Sequence, residues 1–230
     1  MRALKKDVDG RDKPAATRKT WTSLRARGSG PEGRPNGSNM NQHPKADRLA
    51  ARAKAFELIK RLSYREGDFV LASGKRSRFY LDMKPTMFHP DGAASLAALI
   101  LDRLSNLKVD CVGGLAVGAI PLTVAVSVRS AETSRPLPGF FVRKEVKDHG
   151  TKKRVEAAGD ISNKNVVILE DVTTTGDSAM HAVDAVRGAG ANVTLVLTMV
   201  DRNEGAEEFF REQGIPFDWL FRVDELQKAS

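Results

Sequence analysis

The sequence predicts an α/β fold, with a mainly parallel sheet flanked by helices on both faces. Short apolar runs rich in β-branched residues, such as Val166–Leu169 and Val193–Val200, have the pattern of strands buried on both sides. Stretches with apolar residues at helical spacing alternate with them, and that alternation specifies parallel strands joined by helical crossovers. Glycine-rich turns at Gly113–Pro121 and Thr173–Ser178 stand where a strand hands over to a helix. No internal repeat interrupts the scheme.

In chain order, the first 43 residues are set apart from the rest. Gly, Ser, Pro and Asn cluster at 28–39, large apolar residues are few and no period is visible, so a disordered extension is expected. The composition breaks at Met40, and translation starting there is the plainer expectation. An organelle transit peptide is disfavoured by four acids and the lack of an amphipathic pattern. From Lys45 to Leu62, Leu49, Ala53, Phe56 and Ile59 recur at helical spacing. Asp68–Leu71, Ser73-Gly74 and Phe79–Met83 read as strand, turn and strand. Pro90-Asp91-Gly92 opens a helix to about Leu107, and Asp110–Leu115 is the next buried strand. The Gly113–Pro121 turn lacks the Gly-Lys-Ser/Thr of a nucleotide P-loop and the spacing of a dinucleotide fingerprint. Gly139–Val142 is a strand that feeds a cationic stretch. Val166–Leu169 is followed by a helix over Ala179–Gly190, striped by Met180, Val183 and Val186, and Val193–Val200 is another strand.

Composition narrows the function. The 230 residues suit one α/β domain, at 44–230, plus the extension. The single Cys111 excludes a disulfide framework and multi-cysteine metal sites. His43, His89, His149 and His181 show no ligand spacing, so no protein-built metal site is expected. A reducing, cytoplasmic setting follows by default, and no apolar stretch is long enough to span a membrane. The net charge of +8 is concentrated at the start: residues 1–39 hold ten Lys/Arg against four acids, which leaves the rest near +2. Nucleic acid is therefore not an expected partner of the folded part.

The chemistry concentrates at residues 165–180. Glu170 and Asp171 close the apolar run, where ligands sit in open α/β sheets. Thr173, Thr174, Thr175 and Ser178 follow around Gly176, with Asp177 between, at a helix amino end whose free N–H groups favour an anion. A polyol site thus stands beside a phosphate site. Residues 167–179 resemble the 5-phosphoribosyl-1-pyrophosphate (PRPP) motif of the type I phosphoribosyltransferases. In that family the carboxylates contact the ribose hydroxyls, and the loop grips the 5-phosphate. The Gly113–Pro121 turn resembles the family's pyrophosphate loop, but Ala116 and Val117 stand where some relatives carry lysine.

Residues 143–150, Arg-Lys-Glu-Val-Lys-Asp-His-Gly, resemble the catalytic loop of the orotate phosphoribosyltransferases within that family. Their charge independently predicts a solvated, mobile loop between Arg143 and Arg154. The resemblance assigns Arg143 and Lys144 to the leaving pyrophosphate, Lys147 and His149 to proton delivery or charge neutralisation, and Asp171 with Glu170 to the ribose. Arg202, in Val-Asp-Arg-Asn-Glu-Gly, matches the arginine that grips the orotate carboxylate. The string Phe69–Asp82 resembles the family's N-terminal hood, expected at about 44–88. Ala72 replaces a lysine frequent there, leaving Lys75, Lys84 or no residue in its role. The resemblance further implies Mg²⁺, orotate and PRPP as substrates, and a homodimer sharing the Arg143–Arg154 loop across subunits. A phosphoribosyltransferase for another base, and a non-catalytic RNA-binding regulator of the same fold, are the rival readings.

Overall fold

The β-branched runs become the centre of a six-stranded sheet, in a computed structural model that describes residues 45–70, 74, 76–145 and 154–228. The proposed extension at 1–43 lies outside the described residues. Helix α1 (Lys45–Leu58) buries Ala55 and Leu58, and a π-helical turn over Ile59–Ser63 completes the predicted first helix. Strands β1 (Tyr64–Val70) and β2 (Arg76–Leu81) pair antiparallel as a separate ribbon, from Tyr64 opposite Leu81 to Val70 opposite Arg76. Each starts several residues before its predicted position. The cause is that Arg65, Glu66, Asp68, Arg76 and Arg78 decorate an open ribbon and supply no apolar run.

A five-residue helix not expected from the sequence, α2 (Lys84–Phe88), leads into α3 (Pro90–Leu104). The main sheet then forms from β3 (Cys111–Leu115), β4 (Gly139–Val142), β5 (Val155–Ala157), β6 (Asn165–Thr173), β7 (Asn192–Asp201) and β8 (Phe217–Arg222). Its order is β5-β4-β3-β6-β7-β8. All neighbours are parallel except β4 and β5, so the predicted mainly parallel sheet is observed. The helical crossovers are α4 (Ala119–Ser130) between β3 and β4, α5 (Asp177–Gly188) between β6 and β7, and α6 (Ala206–Glu212) between β7 and β8. Helix α7 (Val223–Lys228) ends the described chain.

Strand alternation divides the core into two layers. In β6, Val167 and Leu169 join a cluster with residues of α1, α3 and α4, including Ile100, Leu122 and Val126. Val166 and Ile168 join the opposite cluster, with Val183 and Val186 of α5 and Phe210 of α6. Helices therefore cover both faces, and β6 is buried on both, as its unbroken apolar run requires. The same alternation, continued past Leu169, sets the geometry of the site.

Candidate active site

Strand β6 does not stop at Leu169. It continues to Thr173, so Glu170 and Asp171 lie within the strand and not beyond its end as expected. Extension is enforced by pairing with β7, in which Glu170 opposes Thr198 and Thr173 opposes Asp201. Consecutive strand residues face opposite sides, so Glu170 shares the side of Ile168 and Asp171 that of Leu169. Burial pushes the Glu170 carboxyl up to about 8, the Asp171 charge adds to the rise, and Lys144 opposes it. Its Oε2 is buried without a hydrogen-bond partner. Burial also raises Asp171, while the N–H of Val172, donating at 3.0 Å, and the charge of Lys84 pull it back. The two neighbouring acids thus answer to different lysines.

After Thr173 the chain turns through Thr174 and Thr175 to Gly176, whose φ of 99° is the left-handed conformation that favours glycine. A Cβ there would also stand 2.8 Å from the rings of Phe209 and Phe210, so α6 presses the turn into place. Helix α5 then begins, with Met180 N–H bonding the Gly176 carbonyl at 2.9 Å. The N–H groups of its first turn have no partner within the helix and face outward as an anion cradle. Thr175 Oγ1 donates to Asp177 Oδ2 at 2.8 Å, Thr173 Oγ1 is buried without a partner, and Ser178 is exposed. Thr173 at the end of β6, the turn Thr174, Thr175 and Gly176, and Asp177 and Ser178 at the start of α5 are therefore contiguous at one strand-to-helix junction.

The turn from β3 into α4 closes the second side. Gly113 and Gly114 belong to buried β3, where a Cβ on Gly114 would meet the Leu169 carbonyl at 2.1 Å. Their small size serves strand packing, and the turn proper is Ala116–Gly118, with a cis peptide between Ala116 and Val117. Ala116 N–H is already bonded to the Val142 carbonyl at 2.8 Å. Gly118 is the residue that meets the acids, since a Cβ there would stand 2.7 Å from Asp171 Oδ1.

Arg202 follows β7, and its backbone N–H donates to the Thr173 carbonyl at 2.9 Å, tying it to the PRPP-type turn. Its guanidinium lies 4.6 Å from the centroid of the Phe79 ring in β2. Glu204 Oε1 is 2.8 Å from its Nε, close enough for charge contact but misaligned, so the buried Nε–H has no accepting partner. Beside it, Asp201 is fully buried, accepts the Asn203 N–H at 2.9 Å and lies 3.5 Å from Arg222 Nε. Burial raises its carboxyl above the usual range, and the Asn203 N–H and Arg222 counter the rise. Phe79 and Asp201 were not singled out from sequence; a ring in an exposed ribbon gains its role only through tertiary contact.

The cationic loop is closed at its base, where Arg143 N–H donates to the Arg154 carbonyl at 2.8 Å. Arg143 also binds Glu156 Oε1 through Nε at 3.0 Å and Nη2 at 2.9 Å. Its guanidinium is thereby engaged in the loop stem through Nε and Nη2. Lys144 lies within Coulomb reach of Glu170. Lys147 and His149 lie outside the described residues, as do Ala72 and Lys75. Among the described residues no group of three His, Cys, Asp or Glu side chains is arranged to hold a metal ion. None of their helices is long and apolar enough to cross a membrane.

Residues 88–210, more than half of the chain, match the family profile described as the phosphoribosyl transferase domain, and the chain is of that class. The match becomes specific with full-length relatives. An orotate phosphoribosyltransferase of Bradyrhizobium diazoefficiens is 48% identical over 183 residues, covering 78% of this chain and 98% of the relative. One from Nostoc is 43% identical over 183 residues, covering 80% and 88%. Among solved structures, Mycobacterium tuberculosis orotate phosphoribosyltransferase in complex with PRPP shares 30% identity and a TM-score of 0.65, covering 77% of this chain and 99% of that one. The chain belongs to the orotate phosphoribosyltransferases.

Proposed function

We propose that the chain transfers the phosphoribosyl group of PRPP to orotate, giving orotidine 5′-monophosphate and pyrophosphate in pyrimidine biosynthesis. The observation that carries this reading is the placement of Arg202. A partly buried arginine whose buried Nε–H lacks a partner stands one hydrogen bond from the turn that follows the paired acids. A guanidinium so placed suits a planar carboxylate, and the acids and the α5 amino end suit ribose and its 5-phosphate.

In the reaction, the orotate ring nitrogen forms a bond to the anomeric carbon as the bond from that carbon to pyrophosphate breaks. Positive charge grows on the ribose and negative charge on the leaving group. Glu170 and Asp171 face the first charge. Burial raises both carboxyls in the free protein, and with Glu170 at about 8 that acid retains its proton near neutral pH and can donate it in a hydrogen bond to a ribose hydroxyl. Lys144, Lys147 and His149 face the second, together with Arg143, whose Nε and Nη2 are held by Glu156 at the loop stem. Mg²⁺ is a substrate-borne ion in this reading, and Asp171, the acid that stands against Gly118 of the diphosphate turn, is the carboxylate that would face it. It would neutralise charge on the diphosphate.

A homodimer in a cytoplasmic setting completes the proposal. Val124 and Val128 are exposed one turn apart on α4, an apolar pair that a second copy would cover. The reading is tested by mixing purified protein with PRPP, Mg²⁺ and orotate and following loss of orotate absorbance, with adenine, guanine, hypoxanthine and uracil assayed by pyrophosphate release. Turnover with orotate alone is expected. Turnover with another base would move Arg202 to a different task, and silence with every base would favour the regulator.

A further inference from the structure

The described residues leave the diphosphate turn without a cation of its own, since Ala116 and Val117 lie between β3 and Gly118. We propose that Lys84, at the start of α2, binds the diphosphate of PRPP from the hood side of the site. This rests on the PRPP reading above. Lys84 Nζ donates to Asp82 Oδ1 at 3.0 Å, and its backbone N–H donates to the same oxygen at 3.1 Å, so one carboxylate fixes both ends of the residue. An ammonium has three donors, and two remain after Asp82 is served.

The segment carrying Lys84 is firmly seated. Met83, Thr86 and Met87 are buried. Thr86 Oγ1 bonds Ser63 Oγ at 2.7 Å and the Leu58 carbonyl at 3.2 Å, and a Cβ on Gly92 would stand only 2.0 Å from the Thr86 carbonyl. The charges of Lys84 and Asp171 interact, and Asp171 is the acid against Gly118, at the cap of α4. Lys84 thus stands within electrostatic reach of the carboxylate that touches the diphosphate turn. Elsewhere, in a cleft beside α1 and α3, Arg48, Arg52 and Arg103 pair with Asp102, Glu225 and Asp218. Lys84 has a similar acid partner in Asp82, but its charge also acts on Asp171, the acid beside Gly118.

The test compares wild-type protein with Lys84→Ala and Lys84→Arg by calorimetric titration with PRPP and Mg²⁺, and separately with ribose 5-phosphate, which lacks the diphosphate. Lys84→Ala should weaken PRPP about tenfold or more, while ribose 5-phosphate binding changes less than about twofold. Lys84→Arg should recover most of the PRPP affinity, because a cation is retained. Half-exposed Lys84 is not part of the core, so both variants should keep the wild-type Tm. Unchanged PRPP binding in Lys84→Ala overturns the assignment, as does equal weakening of both ligands, which would mean an effect through Asp171. Failure of wild-type protein to bind PRPP would sink the underlying reading itself, so the two failures are distinguishable.

Discussion

Glu170 and Asp171 are adjacent in sequence and belong to different regions of the molecule. The Asp171 side is assembled from α2, anchored by buried Thr86 and Met87, and from Gly118 at the start of α4, against which the Asp171 carboxylate stands. The Glu170 side faces Lys144, at the foot of a loop whose stem is a four-residue strand paired with one of three residues. One region is suited to holding substrate in the ground state. The other is suited to delivering charge when the leaving group departs. A strand's two-residue period is enough to separate these tasks between neighbouring side chains.

The largest effect expected from this contrast lies on the loop side. Lys147→Ala should reduce kcat by about a hundredfold or more with an unchanged Tm, and an unaltered kcat would remove the loop from the transition state. On the packed side, Arg202→Ala should raise the orotate KM by about ten- to a hundredfold and the PRPP KM far less. Equal rises in both would dissolve the distinction between base and sugar regions.

Glu170 offers a sharper test through pH. Its carboxyl lies at about 8 in the folded protein against an ordinary 4.5, so the folded state holds a proton that the unfolded chain has lost. Its contribution to stability is therefore full below about pH 4.5 and is lost as pH rises through about 8. Glu170→Gln should flatten the decline of Tm over that window, and parallel declines in variant and wild type would show that burial does not govern this acid. The smallest effect belongs to the extension: deletion of residues 1–39 should leave kcat/KM and Tm nearly unchanged, and a large loss in either would give it a structural task.

The central strands and the PRPP-type turn were legible because long apolar runs and contiguous motifs need no distant partner to be recognised. β5 was not, since Val-Glu-Ala is too short to carry a period, and α2 hides in five residues beginning Lys-Pro. β8 was overlooked although its run Phe-Asp-Trp-Leu-Phe-Arg is rich in aromatics, the one signal that was available. Arg202 was found through its string, whereas its ring partner Phe79 lies more than a hundred residues earlier and meets it only in the folded chain. The two-sided nature of the acids needed the strand's true end, which is set by pairing with β7 and not by hydrophobicity.

The three-residue β5 has a consequence outside catalysis. As the outermost strand it determines what the sheet exposes to other proteins along that side, and it is short, antiparallel and ends in the partly exposed Glu156 and exposed Ala157. Such a border is a poor template for further strands, so the stem of the loop also protects the enzyme against edge-to-edge aggregation. Excising the loop together with β5 would uncover the backbone of β4, and loss of solubility would accompany loss of turnover.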